Sequence, residues 1–254
     1  MASLPSVFIS HGSPMHAIDP GAAGKAWSEL GRRLGKLRAI LIASAHWETN
    51  VPMLTGNPKP ETIHDFSGFP QPLYKLRYPA PGAPDVAQRA QALLKDAAID
   101  GSRGLDHGAW APLLYMYPKA DIPVVQISVQ PASGPRHHVE VGRSLKKLSE
   151  EGVLIIGSGH MTHNLRDWAR GAGKPQPYAR EFSDWVREKM EKRDLEALAD
   201  YRSLAPHAAR AHPTEEHFLP LFFALGASGH QGNPERIYDG IEGGVLAMDS
   251  YVFH

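Results

Sequence analysis

Short apolar runs alternate with amphipathic stretches along the chain. Residues 6–10 (Ser-Val-Phe-Ile-Ser), 40–45 (Ile-Leu-Ile-Ala-Ser-Ala), 124–129 (Val-Val-Gln-Ile-Ser-Val) and 153–159 (Val-Leu-Ile-Ile-Gly-Ser-Gly) have strand length and aliphatic, β-branched character. Helical patterns lie between them. Residues 24–37 place Trp27, Leu30, Leu34 and Leu37 on one side and Lys25, Arg32, Arg33 and Lys36 on the other. Pro84 opens a second helix through Val86, Ala90, Leu93 and Leu94, in the first turn where its missing N–H costs least. Residues 138–151 and 178–192 read as two more, the latter with Phe182, Trp185, Val186 and Met190 as its apolar stripe. Residues 236–238 and 244–253 are strand-like. Such alternation predicts the α/β class: a single domain over residues 1–254, with a central, mostly parallel or mixed sheet flanked by helices on both faces.

Two stretches depart from this rhythm, and a third place predicts a further helix. Residues 57–81 hold Pro58, Pro60, Pro70, Pro72, Pro79 and Pro81, and long loops in compact domains are commonly functional. Ile63, Phe66, Phe69, Leu73 and Tyr74 would anchor this one as an ordered lid. Residues 171–177 read as a polar connection. Pro213, followed by Thr214, Glu215 and Glu216, predicts a helix start, with a kink at Pro220.

Lysine and arginine together number 27, as do aspartate and glutamate, so the formal net charge is zero. With no basic block, neither nucleic acid nor an anionic membrane is an expected partner. No run approaches the roughly 20 apolar residues of a membrane span, and residues 1–5 lack the basic start of a secretion signal. A cytoplasmic location is the expectation. The absence of cysteine argues against thiolate zinc clusters and iron–sulfur centres.

Histidine is what stands out chemically, with 14 copies. His11, His46, His160 and His163 directly follow predicted strands, and ligands in open α/β sheets gather at the carboxyl ends of strands. Imidazoles delivered to one rim predict a metal site. Glu48, two residues after His46, would be an acceptor for the free N–H of a ligand. Near Pro213, Glu215, Glu216 and His217 are all possible ligands. Neighbours on a helix point about 100° apart, so only one of Glu216 and His217 would face the site. His64 and His107 each adjoin an aspartate that could fix a tautomer. His16, His137, His138, His207, His212, His230 and His254 lie in polar or turn surroundings and read as structural.

The ordered motifs His11-Gly12-Ser13-Pro14, Ser44-Ala45-His46-Trp47, Thr62-Ile63-His64-Asp65-Phe66, Asp106-His107-Gly108 and Glu216-His217-Phe218-Leu219-Pro220 resemble the class III extradiol ring-cleavage dioxygenases of the LigB-type superfamily. The similar branch is that of the 4,5-DOPA extradiol dioxygenases. The resemblance implies that His11 and His46 are metal ligands, with His217 where the wider superfamily has a glutamate. It implies His163 as the acid–base residue and His107 as a second catalytic histidine lining the pocket. His64 is carried over as a substrate-contacting residue, whereas His160 receives no role. Phe66, Phe69, Tyr74, Trp110 and Tyr251 are candidates for packing the substrate ring. Lys75, Arg77 and Arg166 are candidates for meeting a carboxylate on it.

The implied activity is opening of a catechol, DOPA-like ring by O2 to a muconic semialdehyde-type product, with non-haem Fe(II) as cofactor. The implied partners are thus a small aromatic diol and O2. Three histidines with an open position are equally the pattern of catalytic zinc, so Zn2+ is an alternative occupant. Two rival readings follow: a zinc hydrolase with His163 as general base, and a non-catalytic binding module of the same fold. Retention of all three ligand positions argues against the module.

Overall fold

The computed structural model describes residues 3–169, 176–229 and 234–254. Among the described residues ten strands are formed: β1 (Ser6–Ser10), β2 (Ala39–Glu48), β3 (Met53–Thr55), β4 (Ala98–Asp100), β5 (Val124–Val129), β6 (Val153–Gly159), β7 (Pro234–Tyr238), β8 (Ile241–Glu242), β9 (Leu246–Ala247) and β10 (Ser250–Phe253). Eight build one sheet in the order β4-β3-β5-β2-β6-β1-β10-β7, while β8 and β9 pair separately. The centre, β5-β2-β6-β1, is parallel. Antiparallel pairs flank it, β3 on β5 and β10 on β1. The sheet is therefore mixed, with helices on both faces.

The uninterrupted apolar runs exist because both faces are covered, as parallel strands require. Alternate residues of one run enter different cores. Val7, Ile9, Ile40, Ile42, Leu154 and Ile156 pack with Trp27, Leu30, Trp110 and Leu113 on one face. Leu41, Ala43, Val153 and Ile155 pack with Val141, Leu145, Phe223 and Ala227 on the other. Helix Leu219–Ser228 is apolar all round and buried from Leu219 to Ala227, lying among the sheet and helix Gly134–Leu145. Its approach explains the glycines of β6. A Cβ on Gly157 or Gly159 would collide with the carbonyl oxygen of Pro220 or His217 respectively. That contact seats the segment carrying His217 against the end of β6, where the N–H of His160 donates to the His217 carbonyl at 2.7 Å.

Several boundaries differ from expectation. The first helix spans Gly21–Leu34 and ends at Gly35, whose φ of +67° favours glycine, so Leu37 is buried from beyond the helix. Residues 138–151 form the end of helix Gly134–Leu145 plus a short helix Lys147–Glu150. No helix starts at Pro213: residues 213–218 form turns, and Pro220 stands in the first turn of the next helix, where it causes no kink. Residues 57–81 hold only the short helix Gln71–Lys75, with Thr62 inside the run and Gly82 just after it making isolated parallel bridges to Leu105 and Val124. The connection expected at residues 171–177 lies outside the described residues up to position 175, as does His230. Among the described residues, no helix is long and apolar enough to cross a membrane.

Candidate metal centre

The carboxyl ends of β1, β2 and β6 lie side by side and deliver His11, His46 and His160 to one place. His46 is aimed by an irregularity in its strand, since the β2–β5 register shifts between Ala43 and Glu48. His107 opens helix His107–Met116, whose cap is Asp106: its carboxylate accepts from the N–H of Ala109. Asp106 also accepts from the Ser44 hydroxyl at 2.6 Å and from the Gln126 amide, so it braces the frame and is not the partner of the His107 ring.

His11, His46 and His217 each present a nitrogen within 4.8 Å of the others. The Nε2 atoms of His11 and His46 are 3.1 Å apart, and those of His46 and His217 are 3.3 Å apart. What lies behind each ring decides which nitrogen bears the proton. The Ser158 hydroxyl donates to the carbonyl of Gly108, so its oxygen, 3.0 Å from His11 Nδ1, accepts from that ring. The Glu216 carboxylate lies 2.8 Å from His217 Nδ1, and Asp65 Oδ2 lies 3.4 Å from His46 Nδ1. The Ser158 and Glu216 hydrogen bonds put the proton of His11 and His217 on Nδ1, the Asp65 charge favours the same on His46, and the three rings turn Nε2 toward one another.

Such an arrangement suits a cation. Ligands at about 2.1 Å from one metal would be separated by roughly 3.0 Å at right angles and 3.4 Å at tetrahedral angles, which brackets the two separations. Burial, followed by repulsion from His46 for His11 and from His163 for His217, holds these two imidazoles well below their ordinary pKa. Burial and then His107 lower His46 to about 4. Neutral imidazole is the ligand form. The residues present fit a three-imidazole metal site.

A cavity of about 610 Å³ opens over these rings, lined also by His107, His160 and His163. His163 stacks flat on His217, with ring centroids 3.5 Å apart and 13° between planes. Burial and then His212 lower its pKa to about 3, so it is uncharged at neutral pH. His107 has Asp65 behind its Nδ1 at 2.8 Å, leaving Nε2 as its free nitrogen. Burial alone would raise the Asp65 carboxyl, but the hydrogen bond and charge of His107 outweigh it and hold the group at about 2. His160 is buried beside His11, and its Nδ1 has no hydrogen-bond partner among the described residues.

Other expectations are corrected. His64 Nε2 bonds the Leu76 carbonyl at 3.2 Å and its ring packs on Phe66, Tyr74 and Trp110, so it ties the Pro-rich loop together and does not line the cavity. Tyr251 is fully buried, with its hydroxyl 3.4 Å from Asp249, and also lies away from the cavity. Phe66 and Phe69 do line it, but Tyr74 and Trp110 do not. Glu48 is exposed, and Asp65 takes the place behind His46. Glu216 and His217 both serve the site, because no helix there forces them apart. Lys75, Arg77 and Arg166 are exposed and outside the lining. Leu165 and Trp168, absent from the sequence reading, form an apolar part of the rim; their signal was a pair of large apolar residues on an otherwise polar segment.

Residues 5–246 match the family described as "Catalytic LigB subunit of aromatic ring-opening dioxygenase". A Beta vulgaris protein named 4,5-DOPA dioxygenase extradiol is 43% identical over 97% of this chain and 95% of its own length. An Escherichia coli K12 protein of the same name is 39% identical over 96% of this chain and 93% of its own length. The crystal structure of an uncharacterized Escherichia coli K12 protein superposes with a TM-score of 0.85 at 34% identity, covering 99% of this chain and 100% of that one.

Proposed function

The chain belongs to the LigB family of aromatic ring-opening dioxygenases and is an oxidoreductase of that class, and from this premise we propose that it opens a catechol, DOPA-like ring outside the diol. The product is of muconic semialdehyde type. Both atoms of O2 enter it, the carbon–carbon bond beside the diol breaks, and no external reductant is consumed. His11, His46 and His217 are the proposed holders of Fe(II), which when bound supplies redox activation of O2 and acidifies a coordinated diol. Zinc competes for the same donors.

The protein's own part is orientation and proton handling. A free phenol has a pKa of about 10, so a base must take a proton as the diol binds. His107 is placed for this, with Nδ1 held by Asp65 and Nε2 left to accept. His163, flat against His217 and facing the cavity, is the second proton-handling group. Phe66, Phe69 and Trp168 flank the space for the ring and exclude water from it. His64 and Tyr251 take no part.

The observation that carries this reading is the convergence of three Nε2 atoms, with a hydrogen-bond acceptor at Nδ1 of His11 and His217 and the Asp65 carboxylate 3.4 Å from Nδ1 of His46. The test is oxygen uptake with yellow product formation when catechols are added to iron-loaded protein. Ester hydrolysis by zinc-loaded protein, with no oxygen uptake by either form, would replace ring cleavage by the hydrolase reading.

A further inference from the structure

Asp65 adjoins His64 in the sequence, yet its carboxylate serves two other histidines. Oδ1 accepts the backbone N–H of His107 at 2.9 Å. Oδ2 lies 2.8 Å from His107 Nδ1 and 3.4 Å from His46 Nδ1. The carboxylate thus spans a proposed metal ligand and a proposed proton acceptor.

The chain around it is built to hold that position. Thr62 bridges Leu105 in parallel, with Ile63 N–H donating to the Leu105 carbonyl at 2.7 Å and Leu105 N–H to the Glu61 carbonyl at 2.8 Å. This registers Asp65 against His107, two residues beyond Leu105. The Trp110 indole N–H donates to the Ile63 carbonyl at 2.9 Å, and the Phe66 ring stands edge-on to His107 at 5.5 Å. The side chain of Asp65 keeps only 20% of its exposure.

We propose that Asp65 is a positioning residue through which the Pro-rich segment sets the ring orientation of His46 and the tautomer of His107 together. This rests on the site reading above. An ionised carboxylate only accepts and has room for all three N–H donors. Asparagine offers one oxygen; the His107 backbone N–H, which can only donate, holds it in the Oδ1 place, so the NH2 group takes the Oδ2 place and faces the imidazole Nδ1 of His107. That ring would then accept at Nδ1 and carry its proton on Nε2. On His46 such a proton would occupy the ligand lone pair.

The test combines 15N NMR of histidine-labelled protein, metal-free and zinc-loaded, with competitive zinc titration of wild type, Asp65→Asn and His64→Ala. His107 of the wild type is expected as the Nδ1–H tautomer in both states. Asp65→Asn should move His107 toward the Nε2–H tautomer and weaken zinc binding about 10–100-fold, the usual range for lost outer-shell partners. His64→Ala loosens the loop at its Leu76 anchor but keeps the carboxylate, so tautomer and zinc affinity should stay as in wild type. A wild-type His107 protonated on Nε2 overturns the proposal without any variant, which covers the case of Asp65→Asn failing to fold. So does an Asp65→Asn protein with wild-type tautomer and zinc affinity. Wild-type protein that binds neither zinc nor iron would instead overturn the metal site, while the metal-free tautomer would still decide the role of Asp65.

Discussion

Ser158→Ala tests how the frame and the metal centre are joined. Pro112 lies inside helix His107–Met116 and has no N–H, so the Gly108 carbonyl lacks its usual helical donor. The Ser158 hydroxyl supplies that donor and, with its lone pair, accepts from His11 Nδ1. Ser158 and His11 are 0% and 1% exposed, so water cannot replace the lost oxygen. Alanine leaves two buried polar groups unpaired, each costing about 1–3 kcal/mol and thus roughly 2–6 kcal/mol together. Zinc affinity should fall about 10–100-fold as His11 loses its tautomer lock. Urea unfolding of metal-free protein reads the first effect, and competitive zinc titration reads the second. The double variant Ser158→Ala with Pro112→Ala returns a helical N–H to Gly108, so it should regain part of the stability but none of the zinc affinity. A Ser158→Ala protein with wild-type stability and affinity, or full recovery of zinc binding in the double variant, would refute the reasoning.

Three further outcomes are expected. His163→Ala should bind zinc at wild-type stoichiometry yet lose ring-opening turnover; loss of the metal would make His163 a ligand. Burial by itself lowers His16, but the Glu242 hydrogen bond at 2.8 Å outweighs it and raises the folded pKa above 6.5. This contribution is complete below the unfolded pKa and is lost as pH rises through the folded one. His16→Gln should therefore flatten the decline of metal-free stability above pH 6.5 in urea titrations, and an unchanged slope would count against the pair. Trp110→Phe removes the bond to Ile63 and part of a fully buried ring, so it should lower stability by about 1–3 kcal/mol and raise KM for the catechol by loosening the loop.

The central strands, and with them the placement of His11 and His46 toward the carboxyl ends, were legible because a strand buried on both faces writes itself as an unbroken aliphatic run. Strands β3 and β4, three residues each, are too short to leave a period. Helix His107–Met116 is nearly all buried and interrupted by Pro112, so it shows neither an amphipathic stripe nor an obvious continuation. The helix expected at Pro213 failed because Pro220 marks the true start, and that error also made Glu216 and His217 look mutually exclusive. Asp65 was hidden for a different reason. Its partner His107 lies 42 residues away, and the Thr62–Leu105 bridge helps bring the two together, whereas sequence adjacency suggested His64 and Asp106 as the relevant neighbours.

The central claim is that three imidazoles share one cation through Nε2. Zinc K-edge X-ray absorption of loaded wild type and of His11→Ala, His46→Ala and His217→Ala tests it most directly. The account predicts three imidazole nitrogens at about 2.0–2.1 Å in the wild type and one fewer, or no bound metal, in each variant. A wild-type spectrum with fewer than three imidazoles, or any one variant keeping three and wild-type affinity, would contradict it.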